Sequence, residues 1–148
     1  MNAANKFASS DGEGYELQMG RWSRRLAPLF IRFAGITGAV RVLDVGCGTG
    51  NLAICLANDP EIVSVRGLDL SSAYVEFANR QNVDVRLGFQ VGDAQTLPFP
   101  DASFDHTVSM LLLQFVPQPD LAVREMRRVT RPGGIVAAAT WDTRGGFV

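Results

Sequence analysis

The stretch "VLDVGCGTGN", residues 42–51, decides the fold of this chain. An apolar run leads into Asp44, and glycines follow at positions 46, 48 and 50. Glycine lets a backbone approach a ligand closely, because no Cβ atom stands in the way. Such a loop between a buried strand and a helix is typical of nucleotide-binding α/β domains. The stretch therefore raises the question of which nucleotide it holds.

Strand and helix patterns alternate on both sides of this stretch. Short apolar runs predict strands at 39–45, 62–70, 84–93 and 135–141, and a strand that runs into a turn at 104–116. Helical spacing predicts helices at 50–59, 71–81 and 119–130. Loops at 94–103 and at "RPGG" (131–134) separate the later elements. The alternation predicts an α/β fold, a doubly wound, Rossmann-like and mostly parallel sheet of about five strands with helices on both faces.

A further helix is predicted ahead of the first strand, over residues 15–33. Apolar residues recur there at spacings of three and four, and Gly35 marks its end. Gly20 and Pro28 argue against one unbroken helix. Residues 1–14 are rich in Ser, Asn and Gly, which predicts a flexible N-terminus.

The composition limits the class of protein. The chain has 148 residues, which predicts one domain, and its net charge of −1 lacks the basic excess typical of nucleic-acid binding. Cys47 and Cys55 form no C-x-x-C pair and no Cys/His cluster, so no metal site is expected. The N-terminus has no apolar signal core, and no run reaches the roughly 18 apolar residues that span a bilayer. We therefore expect a cytoplasmic protein that does not enter membranes.

The glycine spacing narrows the choice of ligand. A dinucleotide-binding loop has the pattern G-x-G-x-x-G, and counted from Gly46 its third glycine falls on Asn51. A triphosphate loop needs a G-K-[ST] ending, which is absent. Asp69 stands at the end of the second strand, where a carboxylate can accept hydrogen bonds from both ribose hydroxyls; its alternative is a turn or helix-capping role. These features favour a ligand with a ribose but no pyrophosphate, and they disfavour a nicotinamide-dependent oxidoreductase.

Four segments in register resemble the class I S-adenosylmethionine-dependent methyltransferases. They are "VLDVGCGTG" (42–50), "GLDLS" (67–71), "GDAQTLPFPDASFD" (92–105) and "RPGG" (131–134), and "SMLLLQFV" (109–116) occupies the place of the strand end that faces methionine. The resemblance covers residues 40–141 and is greatest to the small-molecule group that includes the ubiquinone/menaquinone methyltransferases. It implies an S-adenosylmethionine-binding domain over residues 15–148, with its core at 40–141.

The resemblance also implies a role for particular residues toward S-adenosylmethionine as cofactor. The backbone of Gly46 and Gly48 would line the methionine moiety, and Asp44 would hold its ammonium directly or through water. Asp69 would bind the ribose, and Leu70 would pack on the adenine. The other residues implied are Cys47 and Gly50 in the loop, Asp93 at the adenine amino group, Ala94 at a ring nitrogen through its backbone, and Met110 beside the sulfonium. Core packing is the alternative for Leu70 and Met110, and a turn is the alternative for Asp93.

In similar proteins the N-terminal segment folds over the cofactor. Tyr15, Met19 and Arg21 are the candidates here, with Arg21 on the cofactor carboxylate. The alternative is that Arg21, Arg24 and Arg25 form a solvated helix face.

The implied reaction is methyl transfer by in-line displacement, in which the protein mainly positions the two reactants. A general base is optional. His106, the one histidine, stands inside the fourth strand and is interpreted as structural, so no catalytic residue is named.

The acceptor is expected to be a small organic molecule. The end of the fourth strand lacks the [DN]-P-P-[FYW] motif of methyltransferases that act on nucleic-acid bases, and no Pro-Cys nucleophile is present. The family fold has two further strands, so the chain is interpreted as truncated at its C-terminus. The fifth strand would then be an exposed edge and a site of self-association. The alternative function is a module that binds S-adenosylmethionine or S-adenosylhomocysteine without a complete acceptor site.

Overall fold

The structure, a computed structural model, describes residues 12–142. The strands are β1 (Arg41–Val45), β2 (Ser64–Asp69), β3 (Leu87–Val91), β4 (Phe104–Met110) and β5 (Thr130–Ala139). The helices are α1 (Gly12–Tyr15), α2 (Arg21–Ala34), α3 (Asn51–Ala57), α4 (Ser72–Gln81) and α5 (Pro119–Val129), with a π-helical turn at Glu16–Gly20 and a 3₁₀ turn at Leu113–Phe115. The predictions for residues 1–11 and 143–148 lie outside the described residues.

The five strands form one sheet in the order β3-β2-β1-β4-β5, and all neighbouring pairs are parallel. The chain moves outward from β1 through β2 to β3, then crosses back to β4 and β5. This reversal of direction confirms the predicted doubly wound α/β fold. In such folds, ligands bind at the carboxyl ends of the strands where the direction reverses, which here is beside β1 and β4.

The central strand β1 is buried because helices cover both faces of the sheet. Val42, Leu43 and Val45 are 0% exposed. Val42 packs in the cluster that includes residues of α2, α3 and α4, whereas Leu43 and Val45 pack with residues of α5. Each fully buried side chain of this size contributes roughly 1.5–3 kcal/mol to folding. The loop that follows β1 is therefore attached to the most firmly packed part of the domain.

The N-terminal helical region is longer and less interrupted than the sequence predicts. The chain is helical from Gly12 to Ala34, and Gly20 and Pro28 lie within it. Pro28 is exposed, and the region passes Gly20 by way of the π-helical turn. Gly12, the first described residue, is already helical, and it packs closely on Phe77 in α4.

Two boundaries predicted from the sequence, the end of α2 and the start of β5, differ in how closely the structure follows them. Gly35 has a φ of 67° and its N–H donates to the carbonyl of Arg32, so it ends α2 as predicted. β5 begins earlier than predicted, at Thr130, so the segment predicted as a turn, 131–134, lies within the bounds of this strand. The register shifts here, because Thr130 pairs with Phe104 and Ile135 pairs with His106. Residues 131–134 therefore form a bulge opposite Asp105, in which Gly133 takes a φ of 81°.

At the edge of the sheet, β5 carries Val136 with 39% of its surface exposed. Self-association through this edge stays a prediction. Within residues 12–142, no helix is long and apolar enough to cross a membrane.

Candidate cofactor site

The glycine loop after β1 lies at the point where the sheet reverses direction. The N–H groups of Gly46 and Cys47 both donate to the carbonyl of Leu68 at the end of β2, at 2.7 and 3.0 Å. Gly46 has a φ of 77°, and a Cβ atom there would lie 2.6 Å from the Leu112 side chain. Both the backbone conformation and the close approach of Leu112 therefore require glycine at position 46.

The carboxylate of Asp69 joins the glycine loop to the next segment. One oxygen, Oδ2, accepts the N–H of Gly48 at 2.9 Å, and the other, Oδ1, accepts the N–H of Ser71 at 2.9 Å. Burial raises the pKa of Asp69, and these backbone hydrogen bonds oppose that shift. Each carboxylate oxygen can accept a second hydrogen bond, so Asp69 retains the capacity to bind two hydroxyl groups.

A cleft of about 220 Å³ opens beside Asp69. It brings together five of the residues singled out in the sequence, Gly46, Asp69, Leu70, Asp93 and Ala94. Leu70 is 74% exposed, so the alternative of core packing does not hold for it. The segment after β4 adds an apolar lining, which consists of Leu112, Phe115, Val116 and Pro117. The resemblance placed the segment 109–116 near methionine, but the sequence singled out none of these four residues.

Asp93 lies on the rim of this cleft and also shapes the turn after β3. Its Oδ1 accepts the backbone N–H of Gln95 at 2.8 Å, and its side chain is exposed. The backbone of the next residue, Ala94, is held in a buried position. The turn alternative for Asp93 is therefore observed, and its position still faces the cleft.

Asp44 lies in a second and much smaller cavity of about 10 Å³. The side chain is buried, and neither of its oxygens has a hydrogen-bond partner within residues 12–142. Burial raises the pKa of Asp44 to about 8, and the negative charge of Asp69 acts in the same direction. A buried carboxylate without a partner is costly, so this position favours a cationic ligand. The lining residues are Tyr15, Ser23, Asp44, Gly46, Cys47, Asn51, Leu52 and Met110.

Cys47 and Met110 therefore border the Asp44 cavity, as the resemblance implies for residues near methionine. Burial, together with the charges of Asp44 and Asp69, raises the pKa of the Cys47 thiol well above its usual range. The thiol stays protonated at neutral pH, and Cys47 acts as a small wall residue. Gly50 differs from its neighbours because it precedes α3 with a φ of 93° and lies against the ring of Phe89.

Tyr15 closes the Asp44 cavity from the N-terminal side. Its ring stacks at a tilt on Tyr74, with 4.7 Å between centroids. Its hydroxyl group hydrogen-bonds with Ser23, and burial raises the pKa of Tyr15 to about 12. The hydroxyl also lies 3.2 Å from where a Cβ atom at Gly48 would be. The structure thus places Tyr15 over the glycine loop.

Glu16 fastens the N-terminal segment to the glycine loop, and sequence reasoning missed it. Its Oε1 accepts hydrogen bonds from the Asn51 amide, at 2.6 Å, and from the Thr49 hydroxyl. Its Oε2 pairs with Arg24. No local pattern reveals this contact, because Glu16 and Asn51 are far apart in the chain. We call the set of Glu16, Arg24, Thr49 and Asn51 the latch.

Arg21 does not reach the site. Its guanidinium lies over the ring of Trp22, 4.9 Å from the centroid, and it is exposed. Neither Arg21 nor Met19 lines the Asp44 cavity or the cleft. The structure therefore places Arg21 apart from the other predicted residues, and its assignment to the cofactor carboxylate stays a prediction.

His106 joins two strands of the sheet through a hydrogen bond. Its Nδ1 accepts the backbone N–H of Ile135 at 3.1 Å, and burial lowers its pKa. This hydrogen bond requires the neutral ring, and it joins β4 to β5 after the register shift. The geometry agrees with a structural role.

Residues 43–138 match the family described as "Methyltransferase domain". The match covers more than half of the chain, so the chain belongs to this family. The chain is therefore a class I S-adenosylmethionine-dependent methyltransferase domain, and its cofactor is S-adenosylmethionine. The fold and the solved structures that the chain resembles agree with this class.

Two curated relatives show how much of a longer protein this chain represents. The malonyl-[acyl-carrier protein] O-methyltransferase of Erwinia pyrifoliae is 38% identical over 93% of this chain and 49% of its own length. The fatty-acid O-methyltransferase of Mycolicibacterium smegmatis is 38% identical over 79% of this chain and 42% of its own length. The chain thus spans less than half the length of either relative.

Among solved structures, the chain is similar to an S-adenosylmethionine-dependent methyltransferase from Mesorhizobium loti. The TM-score is 0.67 with 28% sequence identity, over 74% of this chain and 51% of that one. The shared fold agrees with the sheet order and the loop position described above.

Proposed function

We propose that this chain binds S-adenosylmethionine across the cleft and the Asp44 cavity and transfers its methyl group to a small organic acceptor. The observation that carries the proposal is the buried Asp44 carboxylate, which has no partner among residues 12–142. It lies next to a loop held by Asp69, whose oxygens can accept the two ribose hydroxyls. A cationic ammonium group would supply the partner that Asp44 lacks.

The other residues of the site fit the same ligand. Leu70 presents an exposed apolar surface for an adenine ring, and Asp93 and the Ala94 backbone lie on the same cleft. Met110 borders the Asp44 cavity, where the sulfonium end would lie. The proposed set of cofactor-binding residues is Tyr15, Asp44, Gly46, Cys47, Gly48, Gly50, Asp69, Leu70, Asp93, Ala94 and Met110.

In the proposed mechanism the residues of the chain bind, orient and exclude water. S-adenosylmethionine supplies a methyl group that is already activated as a sulfonium, so the protein needs to align it with the acceptor. Asp44 and Asp69 hold the two ends of the ligand. Tyr15 and the latch separate the methionine end from solvent. A group that takes up a proton is needed only for an acceptor that arrives protonated, and we name no residue for that role.

The acceptor is proposed to be a small organic molecule rather than nucleic acid. The names of the two relatives, which describe O-methylation of a fatty acid and of a malonyl group, support this class. The cytoplasmic location stays a prediction. The alternative function is a module that holds S-adenosylmethionine without transferring its methyl group.

Calorimetric titration with S-adenosylmethionine, and in parallel with NAD, tests the binding step. We expect one site for S-adenosylmethionine alone, weakened about 100-fold in Asp69→Ala, because two hydrogen bonds to a charged group are lost. Asp120→Ala, at the start of α5, is the matched control and should bind normally. Binding of NAD, or unchanged affinity in Asp69→Ala, would overturn the proposal.

An assay of methyl transfer to a panel of carboxylic acids, phenols, quinols and amines distinguishes the proposed enzyme from the alternative, a module that only binds S-adenosylmethionine. Transfer to any of these supports the enzyme. Binding of S-adenosylmethionine without transfer to the panel would favour the module.

A further inference from the structure

A further concave surface, separate from the cleft and from the Asp44 cavity, lies next to the end of β4. It is a groove of about 260 Å³ formed by the exposed side of α2 and the segments that follow β4 and β5. Its lining residues are Trp22, Arg25, Leu26, Leu29, Leu111 and Trp141, and we call it the α2 groove. Trp22 is 46% exposed and Leu29 is 54% exposed. Ligand sites are concave and mostly apolar with a few polar groups, which is the make-up of this groove.

The α2 groove adjoins the methionine end of the cofactor site through two consecutive residues. Met110 lines the Asp44 cavity, and Leu111 lines the groove. Leu111 has a φ of 64°, which is rare for a residue with a Cβ atom, and its N–H donates to the Ala139 carbonyl at 2.7 Å. Strain of this kind is retained where the surroundings fix a functional position. The end of β4 is therefore the element that links the groove to the cavity to which the proposed function assigns the methyl-donating end.

The charge of the groove selects the polar part of its ligand. Arg25 is its one charged lining residue, and the structure gives Arg25 no ion pair within residues 12–142. The neighbouring Arg24 is occupied by Glu16 in the latch. An unpaired guanidinium at the rim of an apolar groove favours an amphiphilic ligand with a planar anionic group such as a carboxylate.

The lining residues include no group that can take up a proton. A hydroxyl or ammonium acceptor must lose a proton in the reaction, whereas a carboxylate already carries the lone pair that attacks. Within the described part of the chain, the groove thus suits an acceptor that arrives ionised.

We propose that the α2 groove binds the methyl acceptor, and that the acceptor is an apolar carboxylate whose charged end meets Arg25. This rests on the proposed function. One carboxylate oxygen forms the new O–CH₃ bond while the S–CH₃ bond of S-adenosylmethionine breaks, and the electron pair of that bond stays on sulfur. The carboxylate loses its negative charge, sulfur loses its positive charge, and no proton moves. The neutral ester no longer pairs with Arg25, which favours its release.

The tryptophans provide a direct readout. The chain has two, Trp22 and Trp141, and both line the groove, so their fluorescence reports its occupancy without any need for activity. We expect decanoate, kept below its micelle concentration, to change this fluorescence along a saturable curve. Methyl decanoate should bind about fivefold more weakly, because it lacks the charge that pairs with Arg25. Arg25→Gln should lower the affinity for decanoate by about the same factor and leave the affinity for methyl decanoate unchanged.

Arg32→Gln is the matched control, since Arg32 is on α2 but does not line the groove. Equal affinity for acid and ester, an equal effect of both arginine substitutions, or no saturable change would overturn the proposal. A fluorescence change on dilution without ligand would instead assign the groove to a second copy of the chain.

Calorimetry with S-adenosylmethionine on the same sample distinguishes the two proposals. If S-adenosylmethionine binds but decanoate does not, only the acceptor proposal fails; if S-adenosylmethionine does not bind, the proposed function fails.

Discussion

The two halves of the candidate cofactor site differ in how far they are open. The cleft beside Asp69 has about 220 Å³ and an exposed apolar floor at Leu70, whereas the cavity at Asp44 has about 10 Å³ and is covered by Tyr15. A cavity of that size holds about one water molecule. In the proposed function, the half that takes the adenosine is therefore preformed, and the half that takes the methionine has to widen to admit it. The latch is the contact that resists this widening.

The largest expected effect concerns the charge of the closed half. Because the pKa of Asp44 is about 8, its carboxyl is mostly protonated at lower pH and must ionise to pair with an ammonium. We expect the affinity for S-adenosylmethionine to rise about tenfold per pH unit, or about 100-fold from about pH 5.5 to about pH 7.5. Asp44→Asn should bind weakly with no such dependence. Calorimetric titration at several pH values in this range measures the affinity. An affinity of the unchanged protein that does not vary with pH would contradict the role of Asp44.

The second prediction concerns Gly46, which borders both halves. Gly46→Ala should lower the free energy of unfolding by about 2–4 kcal/mol, because it adds backbone strain to a close contact with Leu112. Gly35→Ala is the control, since Gly35 has a similar φ but open space around it, and should cost about 1 kcal/mol. Chemical denaturation measures both. Equal losses would mean that backbone conformation alone requires glycine at position 46.

The third prediction tests the latch. Glu16→Gln weakens the pairing with Arg24 and the hydrogen bonds from Thr49 and Asn51, so the N-terminal segment should open more readily. We expect both the association and the dissociation of S-adenosylmethionine to become about fivefold faster, equivalent to about 1 kcal/mol in the closed state. Stopped-flow measurements give both rates.

Glu13→Gln, in α1 of the same segment and outside the latch, is the control and should leave the rates unchanged. Glu16→Asp, which keeps the charge on a shorter side chain, should give intermediate rates. Unchanged rates in Glu16→Gln would mean that the segment does not limit access to the closed half.

The smallest effect is expected in the open half. Leu70→Ser removes an exposed apolar surface, so unfolding should change by less than about 0.5 kcal/mol while S-adenosylmethionine binds roughly threefold more weakly. Val85→Ser, at a position 97% exposed and distant from the cleft, is the control for stability and binding. A large loss of stability in Leu70→Ser would show that Leu70 packs within the fold instead.

Local patterns predicted much of the fold and some of the site. The alternation of strands and helices, and the glycine loop, depend on neighbours a few residues apart, so the sheet and the position of Asp69 followed from them. The strand β5 begins earlier than predicted, at Thr130, but residues 131–134 form a bulge between its paired parts, which agrees with the turn tendency of Pro132 and Gly133. Arg21 was assigned to the site because its charge suits a carboxylate, whereas the structure places its guanidinium over Trp22.

The sequence by itself determined the class of fold, the loop that approaches the ligand, and the acidic residues at the ends of β1 and β2. These features follow from apolar periodicity and from backbone conformations that only glycine adopts readily. The tertiary structure decided which side chains come together: Glu16 accepts a hydrogen bond from Asn51, and Trp22 and Trp141 line the same groove. Such pairs come from segments far apart in the chain. Their contacts depend on how helices pack on the sheet, which no local pattern encodes.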